Sequence, residues 1–240
     1  MRSFLLTLLL TFICTLALSQ NVYLVAVGIA DYPGTDSDLV LPVADASAIV
    51  DLYKSNKSAQ TCLLSNSNAT RRSIIETTKA LFCQARSNDI VVLFFSGHGY
   101  PGGFMAYDQK LDYADVKSIF SACKSKHKMV FADACFSGSF RDVKSEKQKL
   151  NAAFDGNVML FLSSRHNETS IETPSMKNGF FTTCLLRCLK GGSDYNKDRV
   201  ITTKELYTGV SKGVIQLSDG RQHPVMWGSF NDDMAVLKWQ

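Results

Sequence analysis

Short apolar runs alternate with amphipathic segments along most of the chain. Apolar runs bounded by turn residues predict buried strands, and apolar residues at helical spacing predict helices. The predicted strands are Val22–Val27, Thr61–Leu64, Ile90–Phe95, Lys128–Ala132, Met159–Leu162 and Met234–Trp239, and the predicted helices are Asp45–Tyr53, Thr70–Ala85 with Thr70 as N-cap, Tyr113–Ala122, Phe180–Leu189 and Thr203–Gln216. Alternating strands and helices indicate one α/β domain, with a mostly parallel sheet and helices on both faces.

The first residues follow a different pattern. Arg2 precedes an apolar stretch that runs to Leu16, and a set of small residues ends at Ser19. This arrangement is typical of a secretory signal peptide, and the stretch is shorter than the ~20 apolar residues that span a bilayer. We therefore expect residues 1–19 to be removed and residues 20–240 to form a secreted or periplasmic domain that has no membrane association.

Net charge and cysteine content narrow the function classes. The formal net charge is +4 and the basic residues are not concentrated, so nucleic acid is not an expected partner. Of the seven cysteines, Cys14 lies in the signal peptide, and the remaining even number would allow disulfides in an exported protein. We expect free thiols instead, because Cys62, Cys83, Cys184 and Cys188 lie in apolar surroundings.

Two predicted strands run into motifs that carry reactive side chains. The third strand leads into Ser96–Gly99 (SGHG), and the fourth leads into Asp133–Gly138 (DACFSG). We predict a tight turn at each motif, because glycine permits tight turns and close backbone approach. Turns at the carboxyl ends of neighbouring parallel strands line one crevice, so His98 and Cys135 would face one another. A thiol beside an imidazole is the machinery of nucleophilic acyl transfer.

These motifs resemble those of the caspase-like cysteine peptidases, most closely the metacaspases and bacterial orthocaspases. Weaker similarity covers Asp31–Thr35 and Leu162–Arg165. The resemblance implies a caspase-haemoglobinase α/β fold with about six mostly parallel strands sandwiched between helices. It also implies His98 as general base and acid, Cys135 as nucleophile, and the N–H groups of Gly99 and Cys135 as the oxyanion hole. The sequence offers no clear third residue that orients His98.

The same resemblance implies a cationic substrate side chain. In metacaspases, aspartates that match Asp45 and Asp133 form the acidic floor of the first pocket, Ser96 matches its wall, and Ser163 lies where the substrate cleft is bordered. Two confined carboxylates favour a guanidinium or ammonium group, so we expect cleavage of polypeptides after Arg or Lys. The structural alternative is that Asp133 satisfies backbone amides and Asp45 is an ordinary acid at a helix N-terminus.

One acidic segment has the spacing of a calcium loop. Asp194, Asn196, Asp198 and Glu205 occupy positions one, three, five and twelve of an EF-hand pattern. Arg199 stands where that pattern has its central glycine, which favours the alternative of a turn that caps the next helix. We expect no required cofactor, with calcium as an optional ligand of these residues.

A second acidic set and a charged segment complete the candidate sites. Asp112 and Asp142 resemble part of the calcium site of metacaspases, although Tyr113 replaces a second acid. The segment 141–149 is charged and lacks apolar periodicity, which predicts a surface loop and a candidate site of self-cleavage. Two alternatives stay open: another reaction of the same dyad, as in clostripain or the gingipains, and a catalytically silent scaffold or binding domain.

Overall fold

A computed structural model describes residues 20–135, 158–164 and 176–238 of the protein, except for the side chains of Thr35 and Cys135. The strands are β1 (Val22–Gly28), β2 (Ala59–Ser65), β3 (Ile90–Tyr100), β4 (Gly103–Met105), β5 (Lys110–Asp112), β6 (His127–Cys135), β7 (Val158–Leu162), β8 (Val200–Thr202), β9 (Val225–Trp227) and β10 (Ala235–Lys238). The helices are α1 (Pro42–Lys54), α2 (Arg71–Phe82), α3 (Tyr113–Ser121), α4 (Phe180–Arg187) and α5 (Thr203–Leu217), and a π-helical turn at Cys188–Gly192 extends α4.

The central sheet confirms the predicted α/β architecture. Its strand order is β2-β1-β3-β6-β7-β9. The first five strands in this order pair in parallel, and β9 pairs antiparallel with β7 at the edge. The two strands that carry the motifs, β3 and β6, are therefore neighbours at the centre of the sheet.

Alternate residues of the buried strands pack into two separate hydrophobic cores. Phe95 of β3 packs in the core that α2 and α3 cover, and its neighbour Phe94 packs in the core that α1, α4 and α5 cover. Both phenylalanines are at most 1% exposed. Side chains of this kind stabilise a fold by about 1.5–3 kcal/mol each on full burial. The near-continuous apolar runs of the sequence follow from this two-sided burial.

The starts of helices α2 and α1 can be compared with the prediction. The hydroxyl of Thr70 accepts the N–H of Ser73 at 3.1 Å, which confirms Thr70 as the N-cap of α2. Helix α1 begins at Pro42, earlier than predicted, because proline fits the first helical position, where no N–H is needed. Asp45 consequently lies in the first turn of α1, at the carboxyl edge of the sheet.

The chain's last part differs from the prediction. The predicted final strand is observed as β10, but it pairs antiparallel with β8 in a separate two-stranded sheet. The edge strand β9 and the β4–β5 hairpin were missed, because strands of three residues are too short to show a hydrophobic period.

Two expectations fall on residues beyond this description. The expected signal peptide at 1–19 and the charged segment at 141–149 lie outside the described residues. Among the helices that are described, none has the length and apolar character needed to span a bilayer.

Candidate active site

The two motifs lie side by side at the carboxyl edge of the sheet. Strands β3 and β6 pair in parallel up to the end of β6, where His98 and Cys135 are Cα partners. Paired strands lie about 4.8 Å apart, so the backbone brings these two residues together. The side chain of Cys135 is outside the described part of the structure, and the catalytic roles of both residues stay predictions.

The tight turn predicted at Ser96–Gly99 is wrong, because β3 continues through that motif. The turn predicted at Asp133–Gly138 stays a prediction, since the described residues end at Cys135. Strand β3 extends to Tyr100 and β6 extends to Cys135. The residues up to His98 pair with β6, and Gly99 pairs with Phe104 of β4 in an antiparallel hairpin. Gly99, a predicted oxyanion-hole donor, therefore lies where β3 passes from the main sheet into this hairpin.

Tyr32 holds His98 in place. Its hydroxyl accepts the His98 N–H at 2.9 Å and donates to the Met105 carbonyl at 3.1 Å. The two rings lie 4.8 Å apart. Burial raises the pKa of Tyr32, so the hydroxyl keeps the proton that it donates. Gly97 permits this approach: its φ is 153°, and a Cβ there would lie 2.6 Å from the Tyr32 hydroxyl.

A backbone carbonyl supplies the partner of His98 that the sequence did not reveal. His98 Nε2 lies 2.7 Å from the carbonyl oxygen of Ser37. Since a carbonyl oxygen can only accept, Nε2 carries the hydrogen, and in the neutral ring Nδ1 holds the lone pair. Any residue type can offer a backbone carbonyl, so no sequence signal could have identified Ser37.

Three of the predicted substrate-binding residues converge beside the motifs. Ser96 and Asp133 are Cα partners on β3 and β6. The Ser96 hydroxyl donates to Asp45 Oδ2 at 2.9 Å. Asp45 is 2% exposed and Asp133 is 8% exposed. Two carboxylates from different elements therefore lie close together in a buried setting, and their role in substrate binding stays a prediction.

The same carboxylates cap helix α4. The Gly179 N–H donates to Asp45 Oδ1 at 3.0 Å, and the N–H and hydroxyl of Thr182 donate to Asp133 Oδ2 at 3.1 and 2.8 Å. Gly179 is the N-cap residue and has no capping side chain, so the two acids satisfy N–H groups that the helix leaves open. Asp133 thus bonds a backbone amide, as the structural alternative expects, and Asp45 is an acid in the first turn of α1, but the amides that both acids bond belong to a helix distant in sequence.

Asp45 is reluctant to ionise in this setting. Burial and the neighbouring charge of Asp133 raise the pKa of Asp45 to about 8, against hydrogen bonds from Asn178, Ser96 and Gly179 that lower it. The Asn178 amide nitrogen donates to Asp45 Oδ1 at 2.9 Å. Asp45 therefore keeps its proton to a higher pH than an ordinary aspartate does. A cation placed beside the pair would favour loss of that proton.

Ser163 contacts the backbone of β6 within the Asp133–Gly138 motif. It is fully buried, and its hydroxyl donates to the Ala134 carbonyl at 3.0 Å and accepts the Ala134 N–H at 3.2 Å. The buried Gln222 amide donates to the Ser163 carbonyl at 2.8 Å. These contacts fix the backbone immediately before Cys135, while the predicted contact of Ser163 with substrate stays a prediction.

The residues predicted to bind calcium make local contacts. The Asp194 carboxylate accepts the N–H groups of Asp198 and Arg199 at 3.2 and 3.0 Å. Glu205 Oε2 accepts the Thr202 N–H at 3.0 Å in the capping box of α5. These are the contacts of the turn and helix cap that the missing glycine favours.

The remaining calcium candidates behave in the same way. Asn196 Oδ1 accepts the Asp198 N–H at 3.0 Å, and Asp112 accepts the Tyr100 hydroxyl at 2.5 Å. Asp142 lies outside the described residues. In the described ranges, no group of three or more His, Cys, Asp or Glu could hold a metal ion. The described calcium candidates therefore do not form a metal site, and the expectation of no required cofactor stays a prediction.

Comparison with known families agrees with this geometry. The model of the caspase domain, Peptidase C14, matches residues 22–235, and the chain belongs to this family. The family supports a cysteine peptidase and implies polypeptide substrates.

Comparison with solved structures supports the fold. The crystal structure of protein GSU0716 from Geobacter sulfurreducens is similar to this chain, with a TM-score of 0.68 and 18% sequence identity. The similarity covers 92% of this chain and 97% of that chain. At this identity it shows the fold alone. No curated protein matches the chain.

Proposed function

We propose that this protein is a secreted cysteine endopeptidase that hydrolyses polypeptides after Arg or Lys. One observation carries the proposal: His98 and Cys135 are Cα partners on adjacent central strands, directly beside the buried pair Asp45 and Asp133. A nucleophile, a base and a negatively charged subsite at one sheet edge are the parts that such a reaction needs.

The proposed chemistry uses Nδ1 of His98 as the base. Because Nε2 donates to the Ser37 carbonyl, the lone pair of the neutral ring lies on Nδ1. The proton of the Cys135 thiol passes to Nδ1, and the sulfur attacks the scissile carbonyl carbon. His98 then protonates the leaving amine, and the same base activates the water that hydrolyses the thioester. In this proposal the N–H groups of Gly99 and Cys135 bind the oxyanion.

The acidic pair supports the proposed preference for Arg or Lys. Each carboxylate already accepts hydrogen bonds, but the two are buried together: burial first, and repulsion between Asp45 and Asp133 second, raise the pKa of Asp45. A guanidinium or ammonium group would relieve that repulsion. An acidic side chain would increase it, which excludes caspase-like cleavage after aspartate from this proposal.

Covalent labelling tests the proposed nucleophile. The mature protein is treated with a thiol-reactive peptide that carries arginine at its reactive end, and the labelled residue is located by peptide mass spectrometry. We expect label on Cys135, and none in Cys135→Ala or after competition with an arginine peptide. Cys83→Ala is the matched control, because Cys83 is an exposed free thiol at the C-cap of α2, outside both motifs. Label on Cys83 alone would favour the scaffold alternative.

Export and self-cleavage are separate parts of the proposal. We expect intact mass measurement of the exported protein to show that residues 1–19 have been removed. We also expect cleavage after a basic residue within 141–149 in the wild type and none in Cys135→Ala. Equal fragments from both proteins would mean that another protease cuts this segment.

A further inference from the structure

Asn178 is the most easily moved of the three donors that bind Asp45. The Gly179 N–H belongs to the backbone at the start of α4, and the Ser96 hydroxyl lies on a central strand and is 2% exposed. Asn178 is half-buried and bonds Asp45 through the end of a flexible side chain. The bond from Asn178 can therefore break without any shift of the sheet or of α4, and its amide can then reach solvent, whereas the Ser96 hydroxyl is buried.

The Asn178 amide occupies the place that a substrate cation needs. Asp45 Oδ1 accepts both Gly179 N and Asn178 Nδ2, which uses the two lone pairs of that oxygen. An N–H of a guanidinium or ammonium group is the same kind of donor with a positive charge. Hydrogen bonds between charged partners are about twice as strong as those between neutral partners, so the cation would displace the Asn178 amide from Asp45.

A groove beside the site gives the displaced amide room. Asn178 lines an open groove of about 530 Å³ between α1 and α4, whose other walls include Ala48, Leu52 and Leu186. Asn178 therefore has Asp45 on one side and this groove on the other. The backbone at Asn178 is held separately, since its carbonyl accepts the Thr183 hydroxyl at 3.4 Å. Rotation of the side chain into the groove leaves that bond in place.

We propose that Asn178 is a specificity-determining residue: its amide fills the acidic subsite in the free protein, and only a cationic substrate side chain displaces it. This inference rests on the proposed cleavage after Arg or Lys. Asn178 competes with every substrate side chain for Asp45, so it raises the KM for all substrates. The increase in KM is smallest for substrates whose side chain binds both carboxylates. A neutral side chain such as glutamine gains too little to displace the amide.

Steady-state kinetics of Asn178→Ala test this competition. Above the pKa of Asp45, at pH 9, we expect the KM for an arginine peptide to fall by roughly tenfold, the loss of one hydrogen bond to a charged group. We expect kcat to stay within about twofold, because the groups that react are unchanged. The KM for the matching glutamine peptide should fall by at least as much, which lowers the discrimination between the two.

The dependence of KM on pH gives a second readout. The Asn178 hydrogen bond lowers the pKa of Asp45, so its removal should move the pH at which KM improves to a higher value. Within the described residues, the titratable group that acts on Asp45 is Asp133 on β6. If Asn178 had only a structural role, Asn178→Ala would change thermal stability and would raise KM or leave it unchanged.

Controls separate this inference from the proposed function. Asn56→Ala makes the same substitution near the far end of α1, where the Asn56 side chain accepts the Ser58 N–H, and it should leave KM and its pH dependence unchanged. If Asn178→Ala fails to fold, Asn178→Ser is measured instead, because its hydroxyl is one atom too short to keep the bond. A KM equal to that of Asn56→Ala overturns the inference alone. A wild type that cleaves nothing after Arg or Lys overturns both.

Discussion

Two acidic regions of this protein contrast sharply in how their carboxylates are used. Asp45 and Asp133 come from α1 and β6, are nearly inaccessible, and lie close enough for one charge to affect the other. Asp194, Asp198 and Glu205 lie within one exposed segment and accept N–H groups of that same segment. The first region confines two carboxyl groups in little solvent, which raises the pKa of Asp45, whereas the carboxylates of the second region accept N–H groups of their own segment.

The contrast shows that spacing in the sequence is a poor guide to a binding site. The loop from Asp194 to Glu205 has the ligand spacing of a calcium site, but local turns and a helix cap can also account for that spacing. Asp45 and Asp133 are far apart in sequence and have no spacing that suggests a pair. Convergence from separate elements is what brings these two carboxyl groups together.

Removal of one charge from each region should give the largest difference. We expect Asp133→Asn to lower kcat/KM for an arginine peptide by about a hundredfold or more, because a desolvated charge pair loses one partner. Asp194→Asn should change it by less than about twofold, since a surface acid in a local turn does not touch the substrate. Equal losses in peptide-cleavage assays would mean that the two regions are not functionally distinct.

The next largest difference between the two acidic regions should be in how the free energy of unfolding depends on pH. The pKa of Asp45 is raised above its unfolded value, so the folded state keeps a proton that the unfolded state has lost. Between roughly pH 4 and pH 8 stability should therefore fall as pH rises, by at most about 1.4 kcal/mol per pH unit for one proton.

Urea unfolding at several pH values measures this contribution. Asp45→Asn should remove the Asp45 part of the slope and be relatively more stable than the wild type above pH 8. Asp194→Asn should keep the wild-type slope. An unchanged slope in Asp45→Asn would show that Asp45 has an ordinary pKa and that burial and the charge of Asp133 do not oppose its ionisation.

Two threonines at helix starts allow a matched comparison of stability. The Thr182 hydroxyl donates to the buried Asp133 carboxylate, and the Thr202 hydroxyl accepts the Glu205 N–H in the exposed region. We expect Thr182→Val to lower the free energy of unfolding by about 2 kcal/mol and Thr202→Val by about 1 kcal/mol. Denaturant titrations with the reverse order would indicate that the buried pair has other donors of equal strength.

Calcium should have the smallest effect. Because the acids from Asp194 to Glu205 already bond backbone N–H groups, we expect peptide cleavage with calcium and with a chelator to agree within about twofold. The melting temperature should also stay constant. A large gain on calcium addition that Asp198→Asn abolishes would restore the EF-hand interpretation of this segment.

The sequence indicated the candidate site residues but not the residues that support them. His98 and Cys135 follow apolar runs in recognisable motifs, and the described strands place their backbones together. The supports of His98 could not be predicted, because Ser37 acts through its carbonyl and Tyr32 through a long-range contact. Asn178 was missed for a similar reason, since an asparagine before a helix is ordinary until the fold brings it to Asp45.

The fold shows the same division between pattern and pairing. The long apolar runs that became β1, β3 and β6 were predicted, because burial on both sides leaves a continuous signal. The partner of β10 was not, since hydrophobic pattern shows that a strand is buried but not which strand it joins. The end of β3 was also missed, because cross-strand bonds rather than apolar residues extend this strand through Gly97 and Gly99.

The central claim is that a thiol and an imidazole on adjacent strands cleave peptide bonds beside a cation-binding acidic pair. The most direct measurement compares matched fluorogenic peptides that end in arginine or aspartate, with product masses, on the wild type, Cys135→Ala and His98→Ala. We predict cleavage after arginine only, and a loss of about 10³-fold or more in both variants. Cleavage after aspartate, or equal rates in wild type and Cys135→Ala, would contradict the account.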